Sequence, residues 1–374
     1  MFHPFQVEQF LSEHEELAHY NFAESGVHPM RVSELLELAG AKPDALNDVI
    51  LDYPEVRGMQ VLREHIALLY EDAEATNVLV TVGASEANRI VAETLLEPGD
   101  EVIAFEPTYQ QLPGNAQNLG ITVKPVAMRE ENNWALDLDM LEDALSPKTK
   151  LIAVVNPNNP TGHILDETET SAIIDAAERS GAWILADEVY AGTERDRNEA
   201  TASFWGNYER VIAINSMSKA YGLPGLRLGW LVAPNSEIDA LWRRHEYTTI
   251  SASMLANTLA TMALEPSTRA RVVDRSRRLI RRGFETLQQS LATRPEIFSV
   301  VPPQASAMSF VRYNLPISSA QFCQRLLDEY QMLVIPGSCF GLEQHFRFSS
   351  ALPSEYLAEG LARLHQLTDE LVKT

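Results

Sequence analysis

Ser216-Met217-Ser218-Lys219-Ala220-Tyr221-Gly222-Leu223-Pro224-Gly225-Leu226-Arg227-Leu228-Gly229 places a lysine in a Ser/Gly/Pro-rich turn after the apolar run 211–214, with an arginine eight residues further on. An amine in such a turn becomes a nucleophile or base when it is desolvated or set beside other positive charge. The serine hydroxyls offer single donors and the guanidinium a planar fork, a combination suited to a phosphate. Ser-x-Ser-Lys by itself is common in surface loops, so the reading depends on what surrounds it. Outward from this turn, apolar runs bounded by turn residues recur at 77–82, 101–105, 121–126, 151–155, 183–186, 211–214 and 228–232. Stretches with helical spacing, such as 86–96 and 168–178, lie between most of them. Repeated βα units predict an α/β fold with a mostly parallel, seven-stranded sheet covered by helices.

The polar motifs fall just after these runs, where open α/β sheets place their ligands. Gly83-Ala84-Ser85 follows the first run and opens a helix, so its amides and hydroxyl form a phosphate cradle at a positive helix end. Asn156-Pro157-Asn158-Asn159-Pro160-Thr161-Gly162 is a Pro/Asn turn after a strand. Trp183-Ile184-Leu185-Ala186-Asp187-Glu188-Val189-Tyr190 ends a strand with acid and phenol. Near the C-terminus, Gln344-His345-Phe346-Arg347-Phe348-Ser349 sets an arginine between aromatics, and a guanidinium fork suits a carboxylate better than lysine would. Each segment alone also reads as an ordinary turn, strand end or solvated charge; their joint order gives them weight.

Together these segments resemble class I/II aminotransferases, the fold type I enzymes that use pyridoxal 5'-phosphate (PLP), over about residues 50–350. The resemblance implies that Lys219 bonds the cofactor, is freed when the substrate amine displaces it, and then removes the Cα proton as general base. It implies a phosphate site from Gly83, Ala84, Ser85, Ser216, Ser218 and Arg227, with Tyr109 stacking on the ring. Asp187 would partner the pyridinium nitrogen and keep the ring a strong electron sink. Tyr190 and Asn159 would meet the ring oxygen, and Arg347 with Asn159 would grip the substrate α-carboxylate. The segment Tyr53-Pro54-Glu55-Val56-Arg57-Gly58, followed by Leu62-Arg63, resembles the part of the family that reaches a neighbouring subunit's phosphate through its tyrosine, here Tyr53. A homodimer with shared active sites follows from that.

The family's glycine-containing N-terminal motif is replaced by Asn21-Phe22-Ala23-Glu24-Ser25-Gly26-Val27-His28-Pro29. Residues 1–30 carry five glutamates and four histidines but no lysine or arginine. Val7, Phe10, Leu11, His14, Leu17 and Ala18 share one face of a predicted amphipathic helix. This region resembles PLP enzymes that process arginine or hydroxyarginine: capreomycidine synthase, enduracididine-forming cyclases and arginine oxidases. Substrate contacts are accordingly expected from Ser25, Gly26, Glu8, Glu13 and Glu15, since carboxylates on a lid can receive a guanidinium. The alternative is a solvated acidic face around an apolar stripe. The expected organisation is a lid segment at 1–30 belonging to a small domain, a large cofactor domain at 31–253, and a small α+β domain at 254–374.

Composition narrows the partners. A chain of 374 residues with 45% apolar and 22% charged residues can bury a large core. A net charge of −22 disfavours nucleic acid and anionic membranes, which need a basic face. Two cysteines without a Cys-x-x-Cys argue against a disulfide framework or a structural metal. No secretory leader pattern or membrane-spanning run is visible, so a cytoplasmic location is expected. The leading expectation is a PLP-dependent aminotransferase acting on an L-α-amino acid. The alternative is a PLP-dependent cyclase, lyase or oxidase of arginine or hydroxyarginine. A ligand-sensing regulator is disfavoured, because the acidic start is unlike a basic DNA-binding domain.

Overall fold

The computed structural model describes residues 2–373. The chain begins with α1 (Gln6–His14), a 3-10 turn at Glu15–Leu17 and the short strand β1 (Tyr20–Asn21), followed by α2 (Val32–Leu38) and α3 (Gln60–Ala67). Strand and helix then alternate: β2 (Val78–Thr81), α4 (Gly83–Leu95), β3 (Glu101–Glu106), α5 (Gln111–Asn118), β4 (Thr122–Arg129), β5 (Ala135–Leu136) and α6 (Leu138–Ala144). Next come β6 (Thr149–Val155), α7 (Glu167–Ser180), β7 (Trp183–Asp187), β8 (Val211–Ser216), β9 (Gly229–Val232) and α8 (Asn235–Thr248). The long pair α9 (Met254–Leu264) and α10 (Pro266–Leu291) leads to β10 (Phe298–Val300), β11 (Met308–Tyr313), α11 (Ser319–Tyr330), β12 (Met332–Leu333), β13 (Ile335–Pro336), β14 (His345–Ser349) and α12 (Ser354–Lys373).

The main sheet has strand order β2-β9-β8-β7-β6-β3-β4-β5. Pairings β3–β4, β3–β6, β6–β7 and β7–β8 are parallel, whereas β9 is antiparallel to both its neighbours and β5 to β4. Every residue of β2, β8 and β9 is buried, which is why these strands read as unbroken apolar runs rather than alternating ones. The seven anticipated strands are therefore present, but the sheet has eight. β5 spans two residues, too few to leave a periodic signal, and is turned back onto β4 by Asn133 and Trp134 at φ 56° and 66°.

Topology collects the polar motifs at one edge. The chain leaves β2 into Gly83-Ala84-Ser85, β3 into Pro107-Thr108-Tyr109, β6 into the 156–162 turn, β7 into Glu188-Val189-Tyr190 and β8 into Met217-Ser218-Lys219. Because β9 runs the other way, Arg227 just before it arrives at the same edge.

A second, antiparallel sheet has the order β10-β11-β14-β13 and packs with α10, α11 and α12. Phe310 pairs with Arg347 across β11 and β14. The N-terminal residues join this part of the chain: β1 pairs in parallel with β12, and Phe22 stacks on Phe348 with ring centroids 4.7 Å apart. The amphipathic N-terminal helix forms, with Val7 and Leu11 buried, but it stops at His14. The following 3-10 turn advances three residues per turn instead of 3.6, so Leu17 leaves the apolar face and is 63% exposed. Among the described residues, no helix is long and apolar enough to cross a membrane.

Gly283 shows how tightly α10 meets the smaller sheet. Any Cβ there would overlap the backbone carbonyl of Ser350. A mid-helix glycine costs about 1 kcal/mol in propensity, tolerated here because the backbones touch. Gly283→Ala is expected to lower stability by about 1–3 kcal/mol through overpacking despite its better helix propensity, measured as the change in denaturant midpoint at constant m-value.

Candidate active site

The strand ends enclose a cavity of about 620 Å³ lined by Ala84, Ser85, Tyr109, Asp187, Tyr190, Ser216, Ser218, Lys219, Arg227 and Arg347. Its N-terminal wall is Phe5, Glu8, Leu11, Ser12 and Glu15 with Glu24 and Ser25.

Lys219 points into this space. Its Nζ donates to Ser25 Oγ at 2.7 Å. Burial lowers its pKa most; Glu24 and Glu8 work against that shift, while Arg347 and Arg227 add to it. Asp187, at the end of β7, accepts from Asn88 Nδ2 at 3.0 Å and from the Val189 amide at 3.3 Å. Burial nevertheless raises its pKa, with the nearby Lys219 acting in the opposite direction. A cationic ring nitrogen beside Asp187 would reverse that balance and hold the carboxylate ionised.

Arg347 is 2% exposed and has no carboxylate partner among the described residues. Its Nη1 donates to Asn159 Oδ1 at 2.9 Å and its Nη2 to the Ala23 carbonyl at 2.6 Å, and the guanidinium lies 5.5 Å from the centre of the Phe340 ring. Its Nε has no partner. Burial lowers its pKa, yet an arginine stays charged, so the site presents a desolvated cation suited to a carboxylate. Asn159 Nδ2 in turn donates to the Tyr190 phenol at 3.1 Å. Burial pushes the Tyr190 pKa up to about 12, which keeps the phenol neutral and able to donate.

The α4 N-terminus carries no side-chain cap. Glu86, in its first turn, is directed away from the cavity, with Oε2 on the Val82 amide at 2.6 Å and Oε1 on His245 Nδ1 at 3.0 Å. The amides of the first turn are therefore available to an anion. Gly83, at φ 75°, is needed beside them: a Cβ would sit 3.0 Å from Arg227 Nη2. The uncapped helix end, the serine hydroxyls, Arg227 and the buried amine together fit PLP, whose phosphate, ring and aldehyde they could hold. Tyr109 flanks the cavity, and its hydroxyl donates to Glu8 Oε1 at 2.6 Å. No group of three or more His, Cys, Asp or Glu among the described residues could hold a metal ion.

Most residues singled out from sequence line this cavity, and a few do not. Gly26 is not among the lining residues but sits beside the lysine turn, where a Cβ would fall 3.1 Å from the Ser218 carbonyl oxygen and 3.9 Å from Lys219 Cδ. Glu13 is exposed on the far side of α1 and bonds Gln9 at 2.9 Å. Tyr53 is 77% exposed on a loop and is not among the cavity's lining residues. Sequence reading missed Asn88, although it lies one helical turn beyond Ala84 and therefore on the same face, where its Nδ2 also bonds the Ala84 carbonyl at 3.1 Å. Glu24 and Ser12, also in the wall, had no comparable signal.

The family model described as "Aminotransferase class I and II" matches residues 30–364. The chain is 32% identical over 365 residues to capreomycidine synthase of Streptomyces vinaceus, covering 96% of this chain and 92% of that protein. A crystal structure of a PLP-dependent aminotransferase from Streptococcus suis superposes with a TM-score of 0.93 at 33% identity, over 99% of this chain and 98% of the other. The PLP-dependent cyclase OrfR superposes with a TM-score of 0.90 at 26% identity, over the same shares of the two chains.

Asn88→Ala removes a donor from an ionised carboxylate, a loss of about 1.5 kcal/mol. The PLP dissociation constant is expected to rise about tenfold, read from absorbance titration of the PLP-free protein.

Proposed function

This chain belongs to the class I and II aminotransferases, and from that premise we propose that it transaminates an L-α-amino acid whose side chain is cationic, of the arginine type. One observation carries the substrate reading: Glu8, Glu15 and Glu24 line the same cavity as Lys219 and Arg347. A substrate held by its α-carboxylate on Arg347 would meet carboxylates from the N-terminal segment, a charge arrangement that favours a guanidinium over an acidic or neutral side chain.

The enzyme uses PLP, which when bound supplies an aldehyde for amine capture and a conjugated ring that takes up the electron pair left at Cα. In our reading, Ala84, Ser85, Ser216, Ser218 and Arg227 hold the phosphate, Gly83 lets the helix end approach, and Tyr109 flanks the ring. Asp187, oriented by Asn88, keeps the ring nitrogen protonated. Tyr190 and Asn159 donate toward the ring oxygen, and Asn159 also orients the Arg347 fork. Lys219 holds the cofactor and, once released, takes the Cα proton. Burial assists that step, since a lowered pKa leaves more of the amine neutral near pH 7.

The chain also reads as a cytoplasmic homodimer. Ile50, Leu51 and Tyr53 lie in one loop and are each about three quarters exposed (76%, 75% and 77%), an apolar surface suited to a second copy. Two free, buried cysteines suit a reducing compartment. Light scattering should give twice the 41.7 kDa chain mass.

A second reading is supported by the similarity to capreomycidine synthase and to the cyclase OrfR: after Cα deprotonation a hydroxylated arginine loses its hydroxyl as water and its guanidine closes the ring, with PLP returned unchanged. Single-turnover absorbance of the PLP-loaded protein separates the two. Mixed with arginine, loss of the PLP band and its recovery on adding an oxo acid establishes transamination. Mixed with a hydroxylated arginine, return of the band without an oxo acid, together with a cyclic guanidino product, establishes the second reading. Equal response to glutamate and arginine would overturn the substrate assignment. Glu8→Gln combined with Glu15→Gln is expected to raise KM for arginine about tenfold, the worth of a charge-assisted hydrogen bond, with little change for a neutral amino acid.

A further inference from the structure

Lys219 is the one amine in a cavity that also holds several carboxylates, and the group it touches is a hydroxyl. Its Nζ donates to Ser25 Oγ at 2.7 Å. Ser25 is 7% exposed and lines the same cavity as the Tyr190 phenol. Tyr190 accepts from Asn159 at 3.1 Å, and Asn159 accepts from Arg347 at 2.9 Å. Hydrogen bonds thus link the arginine proposed to bind the substrate carboxylate to the Tyr190 phenol, while the amine of the proposed base is held separately, by a residue of the N-terminal segment. The same segment contributes the Ala23 carbonyl, on Arg347 Nη2 at 2.6 Å.

A primary amine near carboxylates ordinarily pairs with one of them, and the pair favours the protonated form. Glu24 and Glu8 act on Lys219 in that sense, against Arg347, Arg227 and burial, and Asp187 and Tyr190 also face it. A hydroxyl is different. It accepts one N–H without a charge that would hold the proton.

We propose that Ser25 is a catalytic residue: its hydroxyl is the neutral acceptor that holds the freed Lys219 amine in place to take the substrate Cα proton, away from the carboxylates of Glu8 and Glu24. The proton passes from Cα to Nζ, the electron pair stays with the substrate and the conjugated system, and Ser25 neither gains nor loses a proton overall. Because Ser25 sits on the N-terminal segment, the base is fully oriented only while that segment is docked. This inference rests on the reading of Lys219 as the cofactor-bearing base.

Ser25→Ala and Ser25→Thr test it by two readouts. In the PLP-free protein, cyanate labelling of Lys219 as a function of pH, followed by peptide mass spectrometry, reports the amine itself. The midpoint is expected to rise by roughly one unit in Ser25→Ala, as the amine turns to Glu24 or Glu8, and to return in Ser25→Thr. In the PLP-loaded protein, Cα-deuterated arginine reports proton abstraction. Ser25→Ala is expected to slow that step roughly tenfold to a hundredfold, the cost of a misplaced reacting group, with a larger isotope effect and KM within about twofold. An unmoved midpoint together with an unchanged deprotonation rate would overturn the proposal. If Ser25→Ala does not fold, Ser25→Cys, with its weakly accepting thiol, provides the same comparison against Ser25→Thr. Failure of the wild-type protein to take up PLP would instead refute the reading of Lys219 on which the inference stands.

Discussion

Burial of the Arg347 guanidinium with no carboxylate partner among the described residues is the constraint on which the rest of the site depends. An unpaired buried charge is costly, and neutral acceptors compensate for only part of the lost hydration. Here those acceptors come from different parts of the chain: Asn159 from the turn after β6, and the Ala23 carbonyl from the N-terminal segment, with Phe340 presenting its ring face. Arg347 itself stands on β14 of the smaller sheet. One cation therefore draws the main sheet, the smaller sheet and the N-terminal segment to a common point, and a ligand carboxylate would complete the charge balance that the protein leaves open.

The main sheet makes this economical. The exits of β2, β3, β6, β7 and β8 and the entry to the reversed strand β9 bring the α4 N-terminus, Asp187, Lys219 and Arg227 to one edge, each on a short excursion from buried backbone. Residues on such excursions inherit the rigidity of the strands behind them. Glu86 illustrates the support this needs: it satisfies the Val82 amide and reaches His245 and Thr248 of α8 and Thr249 just beyond it, tying the helix end to its neighbour from behind. Hydrogen bonds hold its pKa at about 2 against the opposing and largest effect, burial, so it stays ionised and never competes with an incoming phosphate.

Much of this was legible in the sequence because parallel strands buried on both faces produce long apolar runs, and because the motifs that follow them are short and rich in glycine, proline and asparagine. The cavity lining by Lys219, Asp187, Tyr190, Ser216, Ser218, Arg227 and Arg347 follows from that pattern. What was not legible required three-dimensional information. β5 was too short to show a period. The apolar face of α1 predicted a helix but not the change to 3-10 geometry that turns Leu17 outward, and a linear count of glutamates could not distinguish Glu13, on the outer face, from Glu8 and Glu15 in the wall. Asn88 carried a usable signal in its helical spacing from Ala84. The contact between Ser25 and Lys219 spans 194 residues and has no trace in local sequence.

α1 works through two faces. Val7 and Leu11 anchor it in the shared apolar core, while Glu8, with Glu15 of the following 3-10 turn, faces the cavity. Its attachment to the scaffold combines that apolar face with the hydrogen bond from Tyr109 to Glu8, and a few polar side chains of the segment line the cavity. The positions of Glu8 and Glu15 are thereby separable from those of Ala23 and Ser25 further along the segment, which touch Arg347 and Lys219. Descendants of such a scaffold can change the side chains of the first turns that face the cavity while the contacts of Ala23, Ser25 and the strand ends stay in place.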